Sequence, residues 1–263
     1  MKVKVIEKKK EKMILHISGT EHAYMNTLRR YLMNEVPVMS IEDVDFRKNS
    51  SILYDEMIAH RLGLVPLTTD LKSYNLQEKC KCKGAGCAQC QLKLTLKGSA
   101  EKEPKMICSK DIKSKDAKVK PVSPDIPIVK LLPGQEVQCE MIAVLGKGKE
   151  HMKFSGCLAW YKHYPHIKIV KQPANAKELA EKYPFVLEMK QAKLAVNEKA
   201  LIQRDLIDSD IQEASGGAIT YEEKDDFIFY IESWGHLDAK ELLEKAVTIH
   251  NDDLKEFKKL LKA

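Results

Sequence analysis

At 263 residues the chain is long enough for one large domain or two to three small ones, and its 44% apolar content is ordinary for a globular protein. No run approaches the ~18–20 apolar residues that span a bilayer, and charges break up Met1–Glu7 where a secretory signal needs an unbroken apolar stretch and a small-residue cleavage site; the expectation is a cytosolic address. The net charge of +6 gathers in two lysine-rich stretches, Lys8–Lys12 and Lys79–Lys120, which read as solvated loops or as contacts to an acidic partner or nucleic acid, although without interleaved aromatics they do not describe a single-strand groove.

Val3–Ile6 and Met13–Ile17 are short aliphatic runs separated by the charged segment Glu7–Lys12, the pattern of two strands and a hairpin loop. Ser18 and Glu21 then fit an S-x-x-E capping box. Met25, Leu28, Leu32 and Val36 follow at helical spacing with one apolar face, and Pro37 stops the helix. Ile41–Phe46 predicts a strand with Glu42, Val44 and Phe46 on one side, which leaves Asp43 and Asp45 on a wet face rather than in a magnesium pair. Asp55–Leu64 predicts a second helix, ended by Gly63 and Pro66.

Leu92–Leu96 alternates leucine with polar residues, as a half-wet strand does. Lys97–Pro127 reads as loop with one short strand. Val137–Leu145 and Lys153–Ala159 read as strands joined by the turn Gly146-Lys-Gly148. Pro165–Gly217 changes character and is expected to be a separate insertion, with a short helix near Ala176–Lys182 and a flexible Ser215-Gly-Gly217. Phe227–Ile231, apolar on both faces, predicts an interior strand. Asp238 and Glu241 then repeat the capping-box pattern, with Asp as the cap.

The last helix carries Leu243, Val247, His250, Leu254, Phe257 and Leu261 at spacings of 4 and 3, a heptad-like stripe with one polar interruption. About 24 residues at 1.5 Å each give roughly 36 Å, more than a small domain covers by itself. The stripe packs either on a second chain or on the protein's own core.

Cys80-Lys-Cys82-Lys-Gly-Ala-Gly-Cys87-Ala-Gln-Cys90 places four thiols within eleven residues. In a cytosolic chain such a cluster reads as a metal site before a disulfide framework. Four thiolates satisfy one tetrahedral zinc and leave no position for water, so the site is structural and not hydrolytic. Iron–sulfur chemistry accepts the same ligands, and four free thiols in a loop are the bland alternative. Gly84 and Gly86 permit the sharp turn, and Lys79, Lys81 and Lys83 offset the charge of a tetrathiolate. Cys108, Cys139 and Cys157 fit small core residues. The chain lacks a P-loop, a dinucleotide fingerprint, G-x-S-x-G and H-E-x-x-H, and His163 and His166 read as strand-end residues. No catalytic residue is assigned.

Ala23-Tyr-Met-Asn26-Thr-Leu28-Arg29-Arg30 resembles the N-L-R-R helix shared by the archaeal D-type and eukaryotic third-largest subunits of RNA polymerase and by the bacterial alpha subunit. Ser51-Ile-Leu-Tyr-Asp55-Glu56-Met-Ile-Ala-His60-Arg61-Leu-Gly63-Leu-Val-Pro66-Leu resembles the D-E-x-I-A-H-R-L-G-L-x-P-L signature of the archaeal and eukaryotic members. Gly146-Lys-Gly-Lys-Glu-His151-Met-Lys153-Phe and Phe229-Tyr-Ile-Glu232-Ser233-Trp-Gly235 also fit the family, so the resemblance spans the chain. Bacterial members lack the cysteine cluster, which points to the archaeal or eukaryotic branch, and the insertion favours the archaeal one.

The resemblance implies an α+β fold. Its split dimerisation domain (a sheet plus two long helices) would span residues 1–46 and 222–263, with a mixed α/β insert carrying the cysteine loop at 47–165. Residues 166–221 would form a ferredoxin-like domain. There Tyr183-Pro184 stands where Cys-Pro is usual, counting back gives Leu179, Ala176 and Pro173, and no cysteine follows Cys157, so no iron–sulfur cluster is expected. The implied role is a non-catalytic assembly subunit of DNA-directed RNA polymerase that holds one zinc ion at Cys80, Cys82, Cys87 and Cys90. It would pair with subunit L, dock the second-largest subunit and small subunits N and P, and meet DNA only through the whole enzyme. The partner-binding residues would be Asn26, Arg29, Arg30, Leu243, Val247, Leu254, Phe257 and Leu261; Arg29 and Arg30 are adjacent, so at least one is free for a neighbour's carboxylate. The competing reading is a free-standing zinc-containing nucleic-acid-binding protein.

Overall fold

The computed structural model describes residues 1–197, 200, 202, 211–222 and 224–261. In chain order these form β1 (Lys2–Lys8), β2 (Lys12–Ser18), α1 (His22–Asn34), β3 (Val38–Asn49), α2 (Asp55–Gly63), β4 (Gln91–Ser99), β5 (Lys105–Cys108), β6 (Ile112–Ser114), β7 (Pro127–Leu131), β8 (Glu136–Gly146), β9 (Cys157–His163) and β10 (His166–Ile169). There follow α3 (Ala176–Lys182), β11 (Leu187–Lys190), β12 (Lys193–Val196), α4 (Ile211–Ala214), β13 (Ile219–Glu222), β14 (Asp226–Ser233) and α5 (Ala239–Leu260). No helix is long and apolar enough to cross a membrane among the described residues.

The chain divides into two compact units. One comprises Met1–Glu7, Ile14–Met25 and Trp160–Tyr230. Ile14, Ile228 and Tyr230 form one of its small cores, with Trp160 stacked on Tyr230 at 4.9 Å. The four-stranded sheet to which these strands contribute runs in the order β1-β2-β14-β9, and β14 is buried on both faces, as its unbroken apolar run requires. The same unit holds the antiparallel pairs β10–β13 and β11–β12. Their core is Leu179, Tyr183, Val186, Leu187, Leu194, Ile211 and Ile219. Leu179 and Tyr183, at positions where a ferredoxin pattern calls for ligands, thus fill this core instead. Residues 198, 199, 201 and 203–210 of the expected 166–221 insertion lie outside the described residues.

The other unit comprises Lys8–Met13, Asn26–Ala159 and Ile231–Ala263. Its main sheet runs β3-β8-β4-β6 with antiparallel pairings throughout. Along β4, Leu92, Leu94 and Leu96 point inward and Lys93, Thr95 and Lys97 outward, the alternation expected of a strand with one wet face. Ile58 and Leu62 of α2, four residues apart, join this core with Met39, Ile41, Met141 and Leu131.

Several local expectations change. Ser18 lies at the end of β2 rather than at the start of α1, where the Glu21 carbonyl accepts the N–H groups of Tyr24 and Met25. Glu42 does not share a face with Val44 and Phe46. The pairing with β8 shifts between Ile41 and Asp43, which turns Glu42 outward while Val44 and Phe46 pack on the core. Lys153 pins that irregularity by bonding the Ile41 carbonyl at 3.0 Å and the Glu42 carboxylate at 2.5 Å. The strand that follows Gly146 begins at Cys157 rather than Lys153, because Met152–Phe154 closes a 3-10 turn in which the His151 ring accepts the Lys153 N–H. Lys97–Pro127 holds two short strands, β5 and β6, besides the end of β4, and β7 begins at its last residue. Asp238 occupies the N-cap of α5, but its side chain makes no capping bond.

Candidate functional site

The cysteine loop opens on a 3-10 turn, Gln77–Lys79, and ends where β4 begins. Two tight turns build it: Lys83 N–H donates to the Cys80 carbonyl at 2.9 Å and Ala85 N–H to that of Cys82 at 3.1 Å, while Cys90 and Gln91 both donate to the Cys87 carbonyl at 3.0 Å. Gly86 (φ 83°) takes a left-handed conformation that glycine adopts without strain, and a Cβ there would stand 2.6 Å from the Gln91 amide oxygen, so that side chain would have to move. The result brings all four Sγ atoms within 4.8 Å of one another.

The sulfur spacings test the fit of a metal. A tetrahedral ion held at about 2.3 Å sets its sulfurs about 3.8 Å apart. Here Cys80–Cys87 is 3.5 Å, Cys82–Cys90 3.5 Å and Cys87–Cys90 3.9 Å. Electrostatics point the same way. The Cys80 thiol, hydrogen-bonding to Cys82, draws that group down to about 6, whereas burial pushes Cys90 up to about 12. Cys82 ionises readily while Cys80 and Cys90 resist ionising beside it; a cation at the centre removes that conflict. The Cys87 N–H also points at the Cys90 sulfur at 3.3 Å. The four cysteines therefore form a site able to hold one metal ion with no open coordination position. Cys139 and Cys157 are buried core thiols as expected, while Cys108 is only partly buried.

The second candidate surface lies on α1 and α5. Ala239, Leu242 and Ala246 bury the first half of α5 against its own unit, where Gly156 leaves room for Leu242. Leu243 is half-buried, and the rest of the stripe is open: Val247 is 36% exposed, Leu254 51%, Phe257 59% and Leu261 72%. The distal part of the predicted stripe, Leu254, Phe257 and Leu261, is thus not packed on the chain's own core. His250, the polar interruption, stacks edge-on against Tyr31 at 4.6 Å, and the Tyr31 hydroxyl donates to Asp253 at 2.9 Å. Sequence reading missed Tyr31 and Asp253, because nothing local signals a bond spanning 222 positions.

Asn26 and Arg29 engage each other: the guanidinium donates twice to the Asn26 amide oxygen, at 2.9 and 3.2 Å. Arg30 is exposed and has no ion pair among the described residues. The signature around α2 also turns apolar side chains outward, with Ile52, Tyr54, Met57 and Leu64 all exposed, a patch that apolar periodicity alone did not reveal.

Residues 40–158 match the family model described as the RNA polymerase Rpb3/RpoA insert domain. Over nearly full length the chain is similar to proteins described as DNA-directed RNA polymerase subunit Rpo3. It is 37% identical to that of Methanosphaera stadtmanae over 255 residues, covering 95% of this chain and 94% of that protein. It is 36% identical to that of Methanothermobacter thermautotrophicus, with 96% of each covered. The corresponding protein of Pyrobaculum calidifontis is 34% identical, over 97% of this chain and 95% of its own.

Proposed function

The chain belongs to the archaeal Rpo3 family of DNA-directed RNA polymerase subunits, homologous to the bacterial alpha subunit, and from that premise we propose that it is the assembly scaffold that pairs with subunit L before docking the second-largest subunit and small subunits N and P. As a polymerase subunit it has its partners within that complex. Full-length kinship favours this reading over a free-standing nucleic-acid-binding protein.

The distal half of α5 carries the proposal. Fully burying a leucine- or phenylalanine-sized side chain contributes roughly 1.5–3 kcal/mol, and Leu254, Phe257 and Leu261 gain little of that within the chain. Large exposed apolar patches on a lone chain mark association sites. In this reading residues 1–46 and 222–263 make the split dimerisation domain, 47–165 the insert, and 166–221 a ferredoxin-like module kept for packing or docking. Arg30 would receive a partner carboxylate, and the Asn26–Arg29 pair would present a preassembled polar surface beside it. Co-expression with candidate polymerase subunits, followed by mass spectrometry of what co-purifies, tests this: subunit L should remain bound in equal amount. A chain that stays a well-behaved monomer and ignores L contradicts it.

For the metal we propose one structural zinc. The sulfur spacing suits a single ion; in a polynuclear cluster the four thiolates are shared out over two or more irons, which spreads the set further apart. Elemental analysis should return one zinc and no iron per chain, and iron with visible-range absorbance would overturn the assignment. A cytoplasmic location accords with a role in transcription.

A further inference from the structure

The unpaired charge beside the open helical stripe has one sign. Glu35, at the end of α1, is held by Lys147 at 2.9 Å and Lys149 at 3.5 Å. Asp253 accepts the Tyr31 hydroxyl. Glu244 pairs with Lys240 at 3.2 Å and Asp252 with Lys255 at 2.9 Å. Glu241 and Glu256 stand two residues from Leu243 and Leu254, which at about 100° per residue turns them to the opposite side of the helix. Lys258 stands four residues from Leu254 and three from Leu261, so it borders both. It has no ion pair among the described residues, and neither has Arg30, next to Tyr31 in α1. Every acid near the stripe is committed or turned away, and the free charges are cations.

We infer that this surface takes a helix of a different chain whose apolar stripe is flanked by aspartate or glutamate, and that Lys258, with Arg30, selects that helix over a second copy of this chain. A two-fold pairing of identical chains puts the same patch on both sides, so the distal stripe would bring Lys258 and Arg30 up against a surface of their own sign. Charges flanking an apolar helical seam set partner choice in this way. Their effect falls mainly on association rate and salt dependence. The inference rests on the proposed pairing with subunit L and adds what that partner must carry.

The test uses the full chain, its Lys258→Glu variant and subunit L, with association followed by sedimentation at 50 and 500 mM salt. Lys258 is exposed, and circular dichroism checks that the helix persists. The variant should bind L roughly tenfold or more weakly at low salt, and the gap should close as salt screens the charges. Mixed with wild-type chain, the variant should form a heterotypic pair more readily than either forms with itself. Binding to L that is the same for both proteins at both salts, together with no heterotypic preference, overturns the inference. If wild-type chain ignores L at every salt, the pairing reading fails, and the mixing experiment still decides the charge rule.

Discussion

Cys90 is two residues from Leu92, so the last cysteine of the candidate metal site and the first inward leucine of β4 belong to one continuous strand entry. Substituting serine at Cys87 and Cys90 removes two thiolates from a closed set of four, and measured metal content should fall from one ion per chain to none. The cluster was legible because spacing alone brings four thiols within reach. What spacing could not give was the division of labour: Cys80 and Cys90 buried, Cys82 and Cys87 partly open. His236 carries no such local signal, since only the folded chain buries it. Its Nδ1 lies 2.8 Å from the Leu67 carbonyl, and burial lowers its proton affinity to about 4. An unfolded histidine takes its proton near 6.5. Between those values the unfolded chain holds one more proton, so stability rises with pH across that window and is lost as pH falls from about 6.5 toward 4. At 1.36 kcal/mol per unit the full effect is roughly 3 kcal/mol. Denaturation at pH 7 and pH 4.5 should show this loss in the wild type, and His236→Asn should reduce it; an unchanged pH slope in the variant would assign the effect elsewhere.

Elements with strong local periodicity were readable in advance. The β4 alternation, the Ile58 and Leu62 face of α2 and the Met25, Leu28 and Leu32 face of α1 all bury as their spacing requires, and Val36 is buried just beyond the end of α1. The misses share a cause. β7 is five residues long and pairs with β5, about twenty residues upstream, so its partner rather than its own pattern defines it. The 3-10 turn at Met152–Phe154 depends on a histidine side chain accepting a backbone N–H, which apolar patterning cannot show. The Gly146–Phe154 segment is a clamp in which Gly148 fits because it has no side chain: a Cβ there would stand 2.0 Å from the Met33 carbonyl oxygen at the end of α1. Gly148→Ala should cost about 1–3 kcal/mol of unfolding free energy, read by urea titration; no loss would mean that α1 gives way freely. In α5 the expectation is reversed. Phe257→Asp changes an exposed position and should leave stability within about 0.5 kcal/mol while abolishing association with subunit L.

On the scale of the whole molecule, kinship with polymerase subunits over nearly the full chain and the two compact units fit a protein whose task is to present surfaces. The cysteine loop and the helical surface draw on separate residues. The contacts that seat α5, namely Leu242 at Gly156 and Asp253 at Tyr31, include none of the four cysteines. Stripping the metal with a chelator should therefore lower the melting temperature without dissociating a preformed pair with L, and loss of the pair on chelation would show that the two sites are coupled. Which chain covers α5 is not written in its apolar stripe, because a heptad-like pattern reads the same for any partner. The measurement that bears most directly on the scaffold is sedimentation velocity of the chain alone and with subunit L. The account predicts poor solubility or non-specific aggregation alone and a single 1:1 species with L, lost in Phe257→Asp. A stable monomer whose sedimentation L leaves unchanged would contradict it.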